Sequence, residues 1–369
     1  MEQVQFTAIV LLLLLLLKLL TLPKRTVSNW AARRSRLMMV VGMVLLLVQF
    51  VLQYTLKLRA MGVTQAVMLN LIFFVPASWA FSLGVLYLQR HGNIKTFDKY
   101  LGLATWGVVL ALIVVASSID GQPLLSATPE LRWAEIIASV CYAAMLFYYV
   151  GCQIRNVRVM REAMMNYFDY DVSDVLRWME VGIVILASMA ALVPLLIFFS
   201  GIWLGIYAVL IFIGLFYLVD SYCGFLLSAA FKKVQEAEQN ELATEVLQLE
   251  AKGGEVTTLS EETAQRVENA VERWKASGGH LKSGMKLPAA AEDMQLPRYL
   301  LSAWLKQWGK HYNDWLTDLR VDEAKRMLRE HPDWNNEAIA LHCGFTDRSY
   351  FQKKFKERTG FSPAEYVNS

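Results

Sequence analysis

The chain has 369 residues, 55% of them apolar, and 36 Lys and Arg against 33 Asp and Glu give a formal charge of +3. An apolar share above the roughly 45–50% of soluble domains, with a mean hydropathy of +0.34, excludes an ordinary soluble protein, and so small a charge excludes recognition of a polyanion by net charge alone. Four scattered cysteines without C-x-x-C or ligand spacing exclude a disulfide framework and a metal site, and no Walker loop, H-E-x-x-H, G-x-S-x-G or paired carboxylates suggest an enzyme or a cofactor.

In chain order, seven apolar runs come first, each long enough at about 20 residues to cross a hydrocarbon layer of about 30 Å. They are Val4–Leu22, Leu37–Leu56, Val63–Leu88, Tyr100–Ser118, Trp133–Val150, Met179–Ser200 and Trp203–Ser221. The first has Glu2 before it and Lys24, Arg25, Arg33, Arg34 and Arg36 after it. That polarity is opposite to a secretory signal, so the run reads as an anchor with its amino terminus outside. Connections on one side carry 14 Lys and Arg against 3 on the other, which places the carboxyl-terminal tail in the cytoplasm.

Gln49, Gln53, Asn70 and Glu135 fall in the outer half of three of these runs. Polar groups inside a bilayer are costly and face the bundle interior. Two readings stand: a small sensing pocket open to the outside, or interhelical hydrogen bonding alone. The outer connections are too short for a folded sensor domain. Asp220 reads as lying near the inner headgroups, and Pro76 and Pro194 as kinks that a bundle tolerates. The connection Arg155–Arg177 is basic, then aromatic and acidic (YFDYDVSD). Its acids lack the Gly and final Glu of a calcium loop, and it reads as an interfacial amphipathic helix followed by a turn.

From Lys232 the composition changes to KKVQEAEQNELATEVLQLEAKGGE. The pattern predicts a helical joint, either a short dimerising coiled coil or a solvated linker; its heptads are too few to decide. Helices are then expected over Ser260–Ala276, Pro288–Met294, Pro297–Gln307, Tyr312–Glu330 and Glu337–His342. His331-Pro332 stops the long one, Asn335 or Asn336 caps the next, and Gly344 sits where a tight turn needs a left-handed residue.

The helix predicted over Asp347–Arg358 has two faces. Phe351 and Phe355 point inward with Phe345 and Ile339, while Arg348, Gln352 and Lys356 share an outer stripe adjoined by Ser349 and Lys353. Such a face suits a major groove, where Arg, Lys and Gln read base edges and neighbouring cations hold phosphates. On periodicity alone it also suits an ordinary solvated surface.

The string I-A-x-x-C-G-F-T-D-R-S-Y-F-x-K-x-F-K-x-x-x-G-x-S-P-x-E-Y, from Ile339 to Tyr366, resembles the second helix-turn-helix of AraC-type (AraC/XylS) transcription regulators. Trp315-Leu316-Thr317-Asp318-Leu319-Arg320-Val321-x-x-Ala324 is similar to the start of that family's connecting helix, and Tyr299-Leu300-x-x-x-Trp304 with Gly309 falls where its first recognition helix lies. The resemblance spans roughly the last hundred residues and implies a two-motif domain that places two helices in successive major grooves. Leu301 and Leu305 depart from it, standing where polar or basic residues are common, which leaves Arg298, Ser302 and Lys306 as the first motif's expected DNA contacts.

The resulting expectation is an all-α protein. Residues 1–231 form a seven-span transmembrane bundle, 232–259 a helical cytoplasmic linker, and 260–369 an AraC-type DNA-binding domain. It is read as a one-component transcription regulator of a bacterial cytoplasmic membrane, with promoter DNA and membrane lipid as partners. A second copy of the chain, RNA polymerase and an unidentified signal ligand remain open as further partners. The alternative is a membrane receptor or transporter whose tail docks a protein.

Overall fold

The structure, a computed structural model, describes residues 2–23, 29–57, 63–119, 128–170, 173–196, 202–228, 236, 237, 239 and 259–367. Among these it is all-helical, with fourteen α-helices, one short 3-10 turn and no strand. The expected joint over 232–254 lies outside the described residues apart from Glu236, Ala237 and Gln239.

Seven long helices come first: α1 (Glu2–Leu20), α2 (Trp30–Thr55), α3 (Val63–Gln89), α4 (Thr96–Ile119), α5 (Pro129–Met165), α6 (Ser173–Leu196) and α7 (Ile202–Leu227). Four of the expected apolar runs fall within one of them; Val4–Leu22 and Leu37–Leu56 pass the ends of α1 and α2 by two residues and one, and the end of Met179–Ser200 beyond Leu196 lies outside the described residues. Among the described residues, five helices are long and apolar enough to cross a membrane: Trp30–Thr55, Val67–Gln89, Thr96–Ile119, Pro129–Met165 and Val209–Leu227. The first helix contributes a shorter apolar stretch, Gln5–Leu20. Pro76 sits inside α3, whose helix continues past it.

The chain divides into two compact units. One holds Met1–Arg158 and Arg177–Ala229; the other holds Val159–Leu176 and Ala230–Ser369. This differs from a simple split near residue 231, because the connection between α5 and α6 goes with the carboxyl-terminal part. The expected helix followed by a turn is present in this connection, with the turn at Asn166 and Tyr167. Helix α5 runs unbroken to Met165, having no breaker after Val150 stronger than Gly151, and Tyr167, Phe168 and Asp169 after it are buried. Phe168 and Asp169 retain 1% and 2% exposure.

In the first unit, small residues let helices approach closely. A Cβ on Gly42 would lie 3.0 Å from the ring of Phe81, and one on Gly102 2.1 Å from that of Trp79. Hydroxyls span the remaining gaps: Ser35 donates to the Gly84 carbonyl at 2.6 Å, and the Ser78 and Tyr142 hydroxyls are 2.6 Å apart. Buried Asp98 on α4 pairs with Arg90 and accepts from the Tyr148 hydroxyl of α5 at 2.5 Å. Asp220, read as a headgroup-level residue, is ion-paired with Lys18 of α1.

The second unit contains α8 (Glu261–Ala276), the 3-10 turn Gly279–Leu281, α9 (Leu287–Asp293), α10 (Arg298–Gln307), α11 (Tyr312–Glu330), α12 (Asn336–His342), α13 (Arg348–Thr359) and α14 (Pro363–Val367). It has two cores joined by α11. Tyr312, Trp315 and Leu316 pack with α8, α9 and α10; Val321, Ala324, Met327 and Leu328 pack with α12 and α13. One amphipathic helix thus serves two helix-turn-helix lobes.

Candidate nucleic-acid interface

Local chemistry sets where α13 begins and ends. Asp347 caps it by accepting from the Tyr350 amide at 2.7 Å, and Gly360 ends it in the left-handed region at φ +82°. The turn before it is held by Gly344 at φ +81°, while α12 starts where Asn335 accepts from the amides of Glu337 and Ala338. Three aromatic side chains fix the roll of α13: Tyr350 is 6% exposed, and Phe351 and Phe355 are fully buried. With that face committed, Arg348, Ser349, Lys353 and Lys356 are exposed and Gln352 is half-buried. The structure brings all five expected residues onto one outward surface.

Nearby acids do not cancel that surface. Glu357 is drawn to Lys354 at 2.8 Å, and Asp314 and Asp318 of α11 are each 2.7 Å from the Arg358 guanidinium. Burial pushes the Cys343 thiol beneath the turn up to about 12, so it stays protonated and serves as core.

The first motif is built differently. Pro297 precedes α10 and supplies no side-chain cap. Leu301 and Leu305, which stood at positions expected to be polar, are 0% and 3% exposed and belong to the first core. Ser302 is 9% exposed, so one of the three expected contacts of this helix is turned inward: it follows Leu301 on the buried side. Arg298 is half-buried and Lys306 exposed, the latter beside exposed Gln307.

In the other unit, three of the four candidate sensing residues, Gln49, Gln53 and Glu135, are buried and Asn70 is half-buried, and the three amides meet. The side-chain amides of Gln49 and Gln53 both donate to Asn70 Oδ1 at 2.7 Å, joining α2 to α3. Glu135 on α5 is 2% exposed, and its Oε1 has no partner among the described residues, as is also true of Gln49 Oε1 and Gln53 Oε1.

Two residues escaped the sequence reading. Arg320, 1% exposed, and Asn313, 6% exposed, lie at the centre of the second unit. The signal for Arg320 was present: it is four residues from both Leu316 and Ala324, hence on the buried stripe of α11, where a charge requires a partner.

The helix-turn-helix domain family matches residues 290–369. Regulatory protein PocR of Salmonella typhimurium is 32% identical over 88 residues, covering 24% of this chain and 29% of that protein. The HTH-type transcriptional regulator YobQ of Bacillus subtilis is 38% identical over 94 residues, 24% of this chain and 37% of its own. The HTH-type transcriptional regulator YijO of Escherichia coli is 34% identical over 70 residues, 19% and 24% respectively. The chain therefore spans between a quarter and somewhat over a third of the length of these relatives, and no solved structure matches it. The carboxyl-terminal domain is a helix-turn-helix domain of the AraC type, and the proteins it resembles are transcription regulators.

Proposed function

We propose that this chain, with an AraC-type domain at its carboxyl end, is a transcription regulator held in a bacterial cytoplasmic membrane and binding promoter DNA from the cytoplasmic side. The observation that carries this is the outward face of α13: Arg348, Ser349, Gln352, Lys353 and Lys356 stand over a sealed aromatic core, in the position of a major-groove helix. Lys306 and Arg298 supply backbone contacts from the first motif, and Ser302 drops out of the contact set. Insertion in lipid is supported by the five long apolar helices and by large apolar side chains turned outward on them, such as Val114 and Val115 on α4 and Leu210 and Ile213 on α7. The excess of cations on alternate connections supports the orientation, with seven spans and the tail inside. The amide group of Gln49, Gln53 and half-buried Asn70, with Glu135, is the place where the bundle would take a signal.

The test is a band-shift series on the intact chain in nanodiscs. Lys353→Ala and Lys356→Ala are expected to weaken binding to all duplexes and to lower the salt slope by about one each, whereas Arg348→Ala and Gln352→Ala change base preference by about 1–3 kcal/mol. Four variants that bind as the parent does would sink the assignment of this face. A reporter joined after Ser369 that is active only outside the cytoplasm would sink the orientation.

A further inference from the structure

Residues 166–170 come from the connection between α5 and α6, yet they are built into the DNA-binding unit. Asp169 Oδ2 accepts from Arg320 Nη2 at 3.0 Å and from the Met285 amide at 2.9 Å. The same guanidinium donates to the carbonyls of His280 at 3.0 Å and Lys282 at 2.8 Å, and it lies 5.9 Å from the Phe345 ring. One arginine thus ties the segment to both lobes. Asn313 makes a second tie, donating through Nδ2 to the carbonyls of Phe168 at 3.1 Å and Tyr170 at 2.9 Å. Its Oδ1 accepts from the Tyr350 hydroxyl at 3.1 Å. Tyr350 is in the first turn of α13. An unbroken line of hydrogen bonds therefore runs from the connection to the helix that carries the DNA-contacting face.

The chemistry of this joint is that of a reversible contact. A segment serving only as filler would be apolar, since a buried ion pair is close to neutral in stability against a well-packed apolar substitute. Here both sides keep groups that water can satisfy when they part: a carboxylate, a guanidinium, a carboxamide and backbone amides. The segment is also short. Seven residues lie between the end of α5 at Met165 and the start of α6 at Ser173, and even fully extended they reach about 25 Å. A shift of a few ångströms in either flanking helix has little slack to be absorbed.

We propose that residues 166–170 are the output element of the membrane bundle. Seated, they hold α13 in its DNA-reading position through Asn313 and Arg320; drawn out by a movement of α5 or α6, they release it. This rests on the DNA-binding reading of the domain and adds how that binding is controlled.

The experiment uses the full chain in nanodiscs and a duplex selected from random sequence by the wild-type chain. Asp169→Asn is expected to weaken binding at least tenfold and to speed amide exchange at Met285, Leu287 and α13, while α8 keeps its protection. Tyr350→Phe removes only the relaying hydroxyl; it should weaken binding severalfold and leave exchange at Met285 unchanged. Because coupling is reciprocal, adding the duplex should slow exchange across 166–170 in the wild-type chain. Wild-type affinity in both variants, or a duplex that leaves exchange at 166–170 unchanged, overturns the proposal while the DNA reading survives. Selection that recovers no duplex overturns both. Should Asp169→Asn unfold the whole domain, Tyr350→Phe and the wild-type exchange experiment still decide.

Discussion

Gly344 and His280 illustrate how single positions are constrained around Arg320. A Cβ on Gly344 would lie 2.5 Å from the Leu281 carbonyl oxygen and 3.1 Å from Arg320 Nε, at φ +81°. Neither the backbone oxygen nor the pinned guanidinium can step aside, so Gly344→Ala is expected to destabilise the domain by about 1–3 kcal/mol, read as a lower melting point. His280 has its imidazole pKa lowered from 6.5, first by burial and then by the charges of Arg320 and Lys275, with Glu323 opposing. Above pH 6.5 the ring is neutral in both the folded and the unfolded chain, and its contribution is fully kept. As the pH falls below 6.5 the unfolded chain takes up a proton that the folded one refuses, so stability declines until the lowered value is passed. Calorimetry between pH 7.5 and 5.5 should show a melting point that falls on acidification, and a shallower fall in His280→Gln. Equal slopes in the two proteins would remove His280 as the cause.

Among the elements, α13 depends on its cap more than on its composition, since nine of its twelve residues are charged or polar and only Tyr350, Phe351 and Phe355 anchor it. Asp347→Ala removes the acceptor for the Tyr350 amide and is expected to cost about 0.5–2 kcal/mol, seen as faster exchange in the first turn of α13 and weaker DNA binding. Unaltered exchange there would show that Tyr350 packing alone sets the helix start. These helices were readable in advance for physical reasons. Tyr312–Glu330 is bounded by His331-Pro332 and carries one apolar stripe, so its ends matched the expectation to the residue. Asn335, Asp347 and Gly344 are chemical markers that act within one turn. The first motif was harder to read: Leu301, Ser302 and Leu305 face inward together because α8 supplies Val267, Val271 and Trp274 to the core against which α10 packs. That contact is set by tertiary packing and has no local sign. Likewise, nothing local to YFDYD says that its acid will meet an arginine 151 residues away; periodicity sees neighbours along a helix, and this pair is made by topology.

For the whole molecule, the docked connection changes what a fragment can do. A tail starting at residue 255 contains both helix-turn-helix motifs but leaves behind Asp169 and Phe168. Arg320 then loses its carboxylate, the Met285 and Leu287 amides lose their acceptors, and the pocket filled by Phe168 empties. Breaking a buried ion pair from one side costs roughly 3–5 kcal/mol, and losing a buried Phe side chain costs a comparable 3–5 kcal/mol. Both are upper bounds, because water reaches Arg320 once the segment is gone. Even half of their sum is large beside a typical domain stability of roughly 5–15 kcal/mol. The isolated tail should therefore melt well below the same domain in the intact chain, with α13 losing exchange protection before α8. A peptide of residues 159–176 added in trans should restore part of that protection. If the tail alone melts as the intact chain does and the peptide changes nothing, the connection is not part of the domain's working fold. If the tail is weakened as expected, deleting the apolar helices will not yield a constitutive regulator, because the deletion removes a piece of the helix-turn-helix unit along with them.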